Sequence, residues 1–415
     1  MAENKSILVV GGGISGISVA VEAAEVGYKV HLVERNAYLG GRVAQLNKYF
    51  PKLCPPYCGL EINFRRIRPN PDIDVLTMSE VVNVQGDPGN FTVTIKTNPR
   101  YVNSACTACG KCAEVCPAER VNGFNYGMNK TKAAYLPHTL AFPMKYAIDR
   151  SACASGCKAC EEACKYGAVE LGQQPATAEL KVGTIVYATG WKPYDMGNLK
   201  LLGEGKMKNV ISNVMMERLA SPGGPTGGKI LRPSDGREAK VVGFVQCAGS
   251  RDENHLSHCS SVCCMASIKQ AFYLRDQYAD SKAEIFYIDL RTPGRYEKFL
   301  NRAQADENIK FTKGKVAAVS EDPSTGDVTV ELEDVLAGTK RKATVDMLVL
   351  ATGMEPEMKG STGAASINQD GFALADLQKP GIYSTGVAKS PVDVMTSIQD
   401  AAGTALKAMQ SIVRS

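Results

Sequence analysis

The sequence predicts an α/β protein of two strand–turn–helix units, with a small cysteine-rich module spliced into the first. Three observations predict it. The opening "SILVVGGGISGISVAVEAAEVGYKVHLVER" runs strand, Gly-rich turn, helix, strand. Two later stretches, "GTIVYATG" (183–190) and "DMLVLATG" (346–353), read as buried strands closed by a turn glycine. Twelve of the 14 cysteines fall in three tight groups of four.

At 415 residues, with 44% apolar and 22% charged residues, the chain is long enough for two or three ordinary globular cores. A formal net charge of +5 is mild. No basic cluster with interleaved aromatics is present, so nucleic acid is not an expected partner. The start "MAENKSILVVGGG" lacks a signal-peptide h-region, and no apolar run reaches bilayer length. A cytoplasmic protein without a membrane span of its own is expected. Many cysteines in such a chain point to metal or redox chemistry rather than structural disulfides.

In the first unit, Ile7 to Val10 read as a strand, Ile17 to Ala24 as a helix, and Lys29 to Val33 as a second strand. Gly11, Gly13 and Gly16 form G-x-G-x-x-G between the first two. Gly11 permits the tight turn, and Gly13 lets backbone N–H groups approach a pyrophosphate. Gly16 lets the helix pack on the sheet, and Glu34 can accept from a ribose hydroxyl. Ser15 in the turn and Arg35 after the strand join this set. With strand, helix and acid all present, the motif predicts dinucleotide binding.

"LGGR" (39–42), with Gly41 and Arg42, follows Glu34 closely. This extension resembles FAD-binding two-dinucleotide flavoproteins of the thioredoxin-reductase-like layout, which also end strands in Ala-Thr-Gly. The resemblance implies Thr189, Gly190, Thr352 and Gly353 as cofactor contacts and as crossings between an FAD domain and an inserted domain. "PGIYSTGVAKSPVD" then fits a closing strand (Ile382 to Thr385), a turn at Gly386 and a helix. The Asp usual after that glycine is replaced by Val387, which puts direct ribityl contact there in doubt. The expected division is 1–99, 176–212 and 346–415 for the FAD-binding domain, 100–175 for the inserted module, and 213–345 for a second α/β domain. Within the last, strands are expected at 241–246 and 284–289 and a hairpin at 311–334. Its entrance "SPGGPTGGKI" reads as a linker whose amides could also meet an anion.

Cys106-x2-Cys109-x2-Cys112-x3-Cys116-Pro117 is the bacterial ferredoxin run. Cys153-x3-Cys157-x2-Cys160-x3-Cys164 is a second, with one extra residue in its first gap and Lys165 where Pro is usual. Such spacings arise by chance at about 4 in 100,000 per starting Cys at this composition. In two-cluster ferredoxins the fourth Cys of each run serves the other cluster. Cys106, Cys109, Cys112 and Cys164 are therefore assigned to one [4Fe–4S] centre, and Cys116, Cys153, Cys157 and Cys160 to a second. Zinc is the alternative, but zinc sites need only paired knuckles.

The third group is Cys247-x11-Cys259-x3-Cys263-Cys264. No single helix face presents all four, though a loop and a helix N-terminus together could. Buried thiols, a redox disulfide, zinc and a third [4Fe–4S] cluster stay open on the pattern alone. His255 and His258 flank the group and could tune or ligate a metal there. Cys54 and Cys58 read as structural thiols or a redox pair.

Together, "GGGISG" with "GGR", "RYVNSACTACGKCAEVCP", "ACASGCKACEEACKYGAVEL" and "CAGSRDENHLSHCSSVCCMASIKQA" resemble the A subunit of heterodisulfide reductase. That family implies FAD, ferredoxin-type clusters and a further [4Fe–4S] cluster on Cys247, Cys259, Cys263 and Cys264. In length and layout, ending without a C-terminal ferredoxin extension, the chain is similar to the A subunit of the quinone-interacting membrane-bound oxidoreductase of sulfate reducers. That likeness implies an anaerobic, flavin-centred electron-transfer subunit with no assigned catalytic side chain. Its implied partners are adenylylsulfate reductase, a second flavin/iron–sulfur subunit, and the complex's membrane haem/quinone-reactive subunit. It also implies peripheral location on the inner face of the cytoplasmic membrane, and electron bifurcation or confurcation at FAD. The rival reading, an NAD(P)H-dependent flavin disulfide reductase, needs a second Gly-rich turn, and "GFVQCAGSR" offers only Gly243 and Gly249 around Cys247.

Overall fold

A computed structural model describes residues 4–358, 365–374 and 378–414. The chain forms two compact units. The first comprises 1–44, 57–191 and 356–415; the second comprises 45–56 and 192–355.

The first unit centres on a five-stranded parallel sheet, in the order Ile382–Ser384, Thr184–Tyr187, Ile7–Val10, Val30–Glu34, Ile73–Thr77. Ile7 stands opposite Thr184 on one side and Val30 on the other. Strands buried on both faces need continuous apolar runs, and "ILVV" and "TIVY" supply them. A three-stranded antiparallel sheet (Ala176–Val182, Asn90–Thr97, Ser79–Asp87) lies beside it. Leu8, Phe91, Val93, Ile185 and Tyr187 pack in one core.

Helix Ile14–Ala24 is almost wholly buried and packs against the long helix Val394–Arg414. That helix turns Ala401, Ala405 and Ala408 inward, each fully buried. Small side chains on both helices permit the close approach that places the Gly-rich turn beside the 385–389 turn.

The cysteine-rich module carries little regular structure: two one-turn helices, Lys111–Glu114 and Ala159–Glu162, and two short two-stranded ladders. A bridge between Val102 and Val169 closes it. Its core holds Cys112, Cys116 and Cys160 among Val102, Ala133, Ala134, Ile148 and Val169. With so few apolar side chains, its interior is organised around thiols.

The second unit repeats the parallel plan, in the order Val210–Ser212, Met347–Leu350, Val241–Val245, Lys282–Tyr287, Ile309–Lys313. An antiparallel sheet of Val316–Glu321, Val328–Asp334 and Thr339–Val345 packs Val328, Val330 and Val345 against it. The entrance loop 221–230 caps helix Asn213–Leu219. Thr226 Oγ1 donates to Leu219 O at 3.2 Å, and Arg218 Nη2 donates to Gly223 O at 2.9 Å.

Four boundaries differ from those expected from the sequence. Residues 192–212 belong to the second unit, because Val210–Ser212 pairs with Met347–Leu350. Residues 346–355 belong there too, so the second Ala-Thr-Gly closes a strand of that sheet rather than of the FAD-type unit. Residues 45–56 also lie in the second unit. Finally, Ile309–Lys313 ends the parallel sheet, and the hairpin begins only at Val316. Parallel and antiparallel strands share the same apolar alternation here, which is why the sequence merged them.

Candidate functional site

The Gly-rich turn is shaped by contacts that only glycine allows. Gly11 has φ +111°, and a Cβ there would sit 2.3 Å from Ala188 O. A Cβ on Gly16 would meet Gly11 O at 1.9 Å. Gly13, by contrast, has nothing within 4 Å of its Cβ position, so open space lies above the turn, where a pyrophosphate would approach. Glu34 braces the turn. Its Oε2 accepts from Gly12 N at 2.7 Å and its Oε1 from Asn36 N at 2.7 Å. Burial pushes its pKa up, against the pull of those N–H groups.

Around this turn, Gly41 lies over Gly13, and Arg35 pairs with Glu357 at 2.6 Å. Arg42 donates from Nε to Trp191 O at 3.1 Å and from Nη1 to the Tyr126 hydroxyl at 3.3 Å, tying the turn to the cysteine module. Thr189 Oγ1 is buried without a hydrogen-bond partner among the described residues. Gly190 has φ +70° with open space at its Cβ position. At Gly386, φ +61°, a Cβ would lie 2.2 Å from Ser15 Oγ. An open cradle, a braced acid and an orphaned hydroxyl fit a bound dinucleotide. Thr352 and Gly353, expected in this set, instead stand in the second unit. There a Cβ on Gly353 would meet Ser250 Oγ at 2.1 Å and Ser260 Oγ at 2.8 Å.

Asp400, which sequence reasoning missed, supplies the carboxylate at the Gly386 turn. Its Oδ2 accepts from Gly386 N at 2.8 Å and Thr385 Oγ1 at 2.9 Å, and its Oδ1 from Lys389 Nζ at 2.6 Å. No local signal marks it, because it lies well inside the following helix.

All 14 cysteines are free thiols. In the module, burial pushes the Cys112 thiol up to about 11, and Cys106, Cys160 and Cys109 stand close enough to add to it. Burial also raises Cys153 and Cys160, and Cys116 acts on both. Cys116 thus stands near Cys153 and Cys160, as Cys160 stands near Cys112. At Cys164 burial is outweighed by the N–H groups of residues 166 to 169, and the thiol is driven toward thiolate. Of these, Ala168 N donates to Cys164 Sγ at 3.3 Å. Cys109 is exposed, whereas Cys112, Cys116 and Cys160 are buried.

In the second unit the structure brings Cys247, Cys259, Cys263 and Cys264 together. Cys263 is driven strongly upward by burial, then by the nearness of Cys264, Cys247 and Cys259. Cys263 and Cys264 open helix Cys263–Gln277, while Cys247 (φ +55°) and Ser261 (φ +60°) take left-handed conformations in the loops before it. Such backbone is uncommon for side-chain-bearing residues. Ser261 N donates to Cys259 Sγ at 3.4 Å. Gln246, beside Cys247, buries both amide atoms without a partner among the described residues. The flanking histidines are engaged elsewhere: His255 Nδ1 with the Tyr194 hydroxyl at 3.0 Å, His258 Nε2 with Met354 O at 2.9 Å.

Among the described residues no three Cys, His, Asp or Glu side chains converge as closely as the ligands of one metal ion. A zinc tetrahedron with Zn–S near 2.3 Å needs its sulfurs about 3.8 Å apart. A cubane, with an iron beneath each thiolate, holds them farther apart. Cys54 and Cys58 are both exposed, unlike buried structural thiols.

Residues 9–58 match the family model of an NAD(P)-binding Rossmann-like domain. The fold is that of thioredoxin reductase. It superposes on the T. acidophilum enzyme with a TM-score of 0.55 at 14% identity, covering 99% of this chain and 97% of that one. For the Lactococcus lactis enzyme the TM-score is 0.53 at 13% identity, over 99% and 100% of the two chains. In sequence, the chain is 38% identical to the A subunit of the H(2):CoB-CoM heterodisulfide,ferredoxin reductase of Methanothermobacter marburgensis, covering 98% of this chain and 64% of the relative. It is 39% identical to the iron-sulfur A subunit of the CoB–CoM heterodisulfide reductase of Methanocaldococcus jannaschii, over 97% and 63%. The chain therefore spans a little under two thirds of the length of these relatives.

Proposed function

Since the chain belongs to the family of heterodisulfide reductase A subunits, we propose that it is the FAD- and iron–sulfur-carrying electron-transfer subunit of an anaerobic respiratory oxidoreductase. The observation that carries this reading is a thioredoxin-reductase fold bearing two ferredoxin-spaced cysteine runs and a third cysteine group. FAD supplies exchange between two-electron and one-electron chemistry, and each [4Fe–4S] cluster carries one electron at a time.

The chain's own residues position these groups. The open face at Gly13, the Glu34 brace and Thr189 would hold the dinucleotide, and Asp400 with Lys389 fixes the Gly386 turn beside Ser15. Cys106, Cys109, Cys112 and Cys164 would hold one cluster, and Cys116, Cys153, Cys157 and Cys160 a second. Cys247, Cys259, Cys263 and Cys264 would hold the third. The ferredoxin spacing of the two runs supports clusters over single zinc ions there. Arg42, bonded to Tyr126, keeps the flavin-side turn and the two-cluster module in fixed register.

The electrons would pass between the menaquinone pool and adenylylsulfate reductase. The partners in that path would be a second flavin/iron–sulfur protein and a membrane haem protein of the same complex. Pairwise splitting or collection of electrons at FAD belongs to the same reading. No helix of the described residues is long and apolar enough to cross a membrane, so membrane attachment falls to those partners in this proposal.

Anaerobic purification with analysis of iron, sulfide, flavin and co-purifying proteins tests it. Twelve irons and one FAD per chain are expected, together with a haem-bearing membrane partner. Eight irons would remove the third centre, and a chain without flavin would sink the whole reading.

A further inference from the structure

The Cys247 group has a cation at its edge that no part of the proposed electron path yet uses. Arg251 Nη1 lies 3.9 Å from Cys247 Sγ, and its Nη2 donates to Asp289 Oδ2 at 2.8 Å. The Arg251 backbone is left-handed, φ +58°, four residues after the left-handed Cys247. Its N–H donates to His258 O at 3.1 Å, which pins the loop where the guanidinium reaches the sulfur. Asp289 also touches the group, since Cys264 Sγ lies 3.7 Å from its backbone carbonyl. Arg291 is the second cation acting on Cys247 and Cys264, and Lys313 and Arg291 both act on Asp289.

We propose that Arg251 is a positioning residue that sets the reduction potential of the centre held by Cys247, with Asp289 as its counterweight. The inference rests on the reading that these four thiols hold a [4Fe–4S] cluster. The effect is electrostatic. Adding an electron makes a thiolate-ligated cluster more negative, so a fixed cation hydrogen-bonded to a ligand sulfur favours the reduced form. Asp289 neutralises part of that charge, while its hold on Nη2 leaves Nη1 aimed at Cys247. Substitution at the two positions should therefore move the potential in opposite directions. The side chain of Arg251 is 24% exposed, so solvent screens the effect without removing it.

The test is an anaerobic EPR-monitored redox titration of the whole complex, carrying Arg251→Gln, Arg251→Lys or Asp289→Asn. Iron content is measured on each sample. At the wild-type midpoint, Arg251→Gln should lower the reduced-to-oxidised ratio of the third centre about tenfold, equivalent to ~59 mV for one electron. Arg251→Lys should stay within about threefold of wild type, because charge is kept though the fork is lost. Asp289→Asn should move the ratio the opposite way. An unchanged midpoint in Arg251→Gln with twelve irons retained overturns the proposal, as does a Lys variant that behaves like Gln. Wild-type protein with only eight irons would instead defeat the cluster reading beneath it, so the two failures are distinguishable.

Discussion

The carboxylate of Asp400 accepts the Gly386 N–H at 2.8 Å, from a helix position 14 residues along the chain. The same oxygen takes the Thr385 hydroxyl, and Lys389 holds the other. Val387 stands where flavoproteins of this fold usually place an acid, and Asp400 supplies a carboxylate to the backbone of that turn instead. Asp400→Ala leaves an N–H, a hydroxyl and an ammonium without their acceptor, at a cost of about 1–3 kcal/mol. Flavin retained per chain after gel filtration should fall with it. Burial pulls the Asp400 pKa upward, but Lys389, the Gly386 N–H and Thr385 hold it below the ordinary value on balance. A depressed folded pKa means stability present above the unfolded value and lost as pH falls through the folded one. The gap between wild type and Asp400→Ala in thermal unfolding should thus be constant from about pH 5 to 8 and close in acid below about pH 4.

Lys269 and Glu217 form an ion pair at 3.0 Å whose side chains are 3% and 4% exposed. Glu217 also accepts from Gln270, Tyr273 and Asn47 N, and Lys269 Nζ donates to Lys48 O. The pair therefore anchors residues 47 and 48 to helix Cys263–Gln277. Burial, and then the Glu217 charge, hold the Tyr273 pKa well above its usual value, so the phenol stays a donor. Lys269→Met strands a buried carboxylate and should cost about 3–5 kcal/mol in urea unfolding. Adding Glu217→Gln should recover part of that loss, and a fully additive double variant would contradict the pairing.

Cys116 closes the first run in sequence but acts on Cys153 and Cys160. Cys116→Ser should perturb or remove the centre of the second run while leaving the EPR signal of the Cys106, Cys109 and Cys112 centre in place. Cys164→Ser should do the reverse. Loss of the first run's signal in Cys116→Ser would mean that each run closes on itself.

What the sequence made legible follows from how local each signal is. The strand Ile7–Val10 was placed to the residue, because a buried strand, glycines and a helix leave a continuous pattern. The ferredoxin spacing of the two cysteine runs was also readable, because it is local to each run. Thr352 and Gly353 were misplaced because "ATG" reports only a strand end, not which sheet the strand joins. Residues 45–56 carry no pattern that could tell their unit. Their place depends on Glu217 and Lys269, more than 160 residues away in sequence. Asp400 and Asp289 were invisible for the same reason. Each acts through a contact made across the fold, with nothing unusual in its own neighbourhood.

Nicotinamide cofactors should find no site in the second unit. There the strand Val241–Val245 runs into the place where such folds put a phosphate turn. Here the turn carries Cys247 and only one glycine, Gly249, after the strand. A Cβ at Gly249 would lie 2.8 Å from the Tyr194 ring, and Gly243 lies inside the strand, opposite Leu348. At Gly13 in the first unit, by contrast, the Cβ position has nothing within 4 Å. Between Gly243 and Gly249 stands Cys247, in left-handed backbone and near Cys259, Cys263 and Cys264. A pyrophosphate needs several converging N–H groups and no competing thiolates. NADH and NADPH should therefore leave the flavin absorbance of the anaerobic protein unchanged over minutes, whereas dithionite bleaches it at once. Rapid bleaching by NADH would mean that the second unit keeps a nicotinamide site, and that the cysteine group serves a dithiol reaction instead of a cluster.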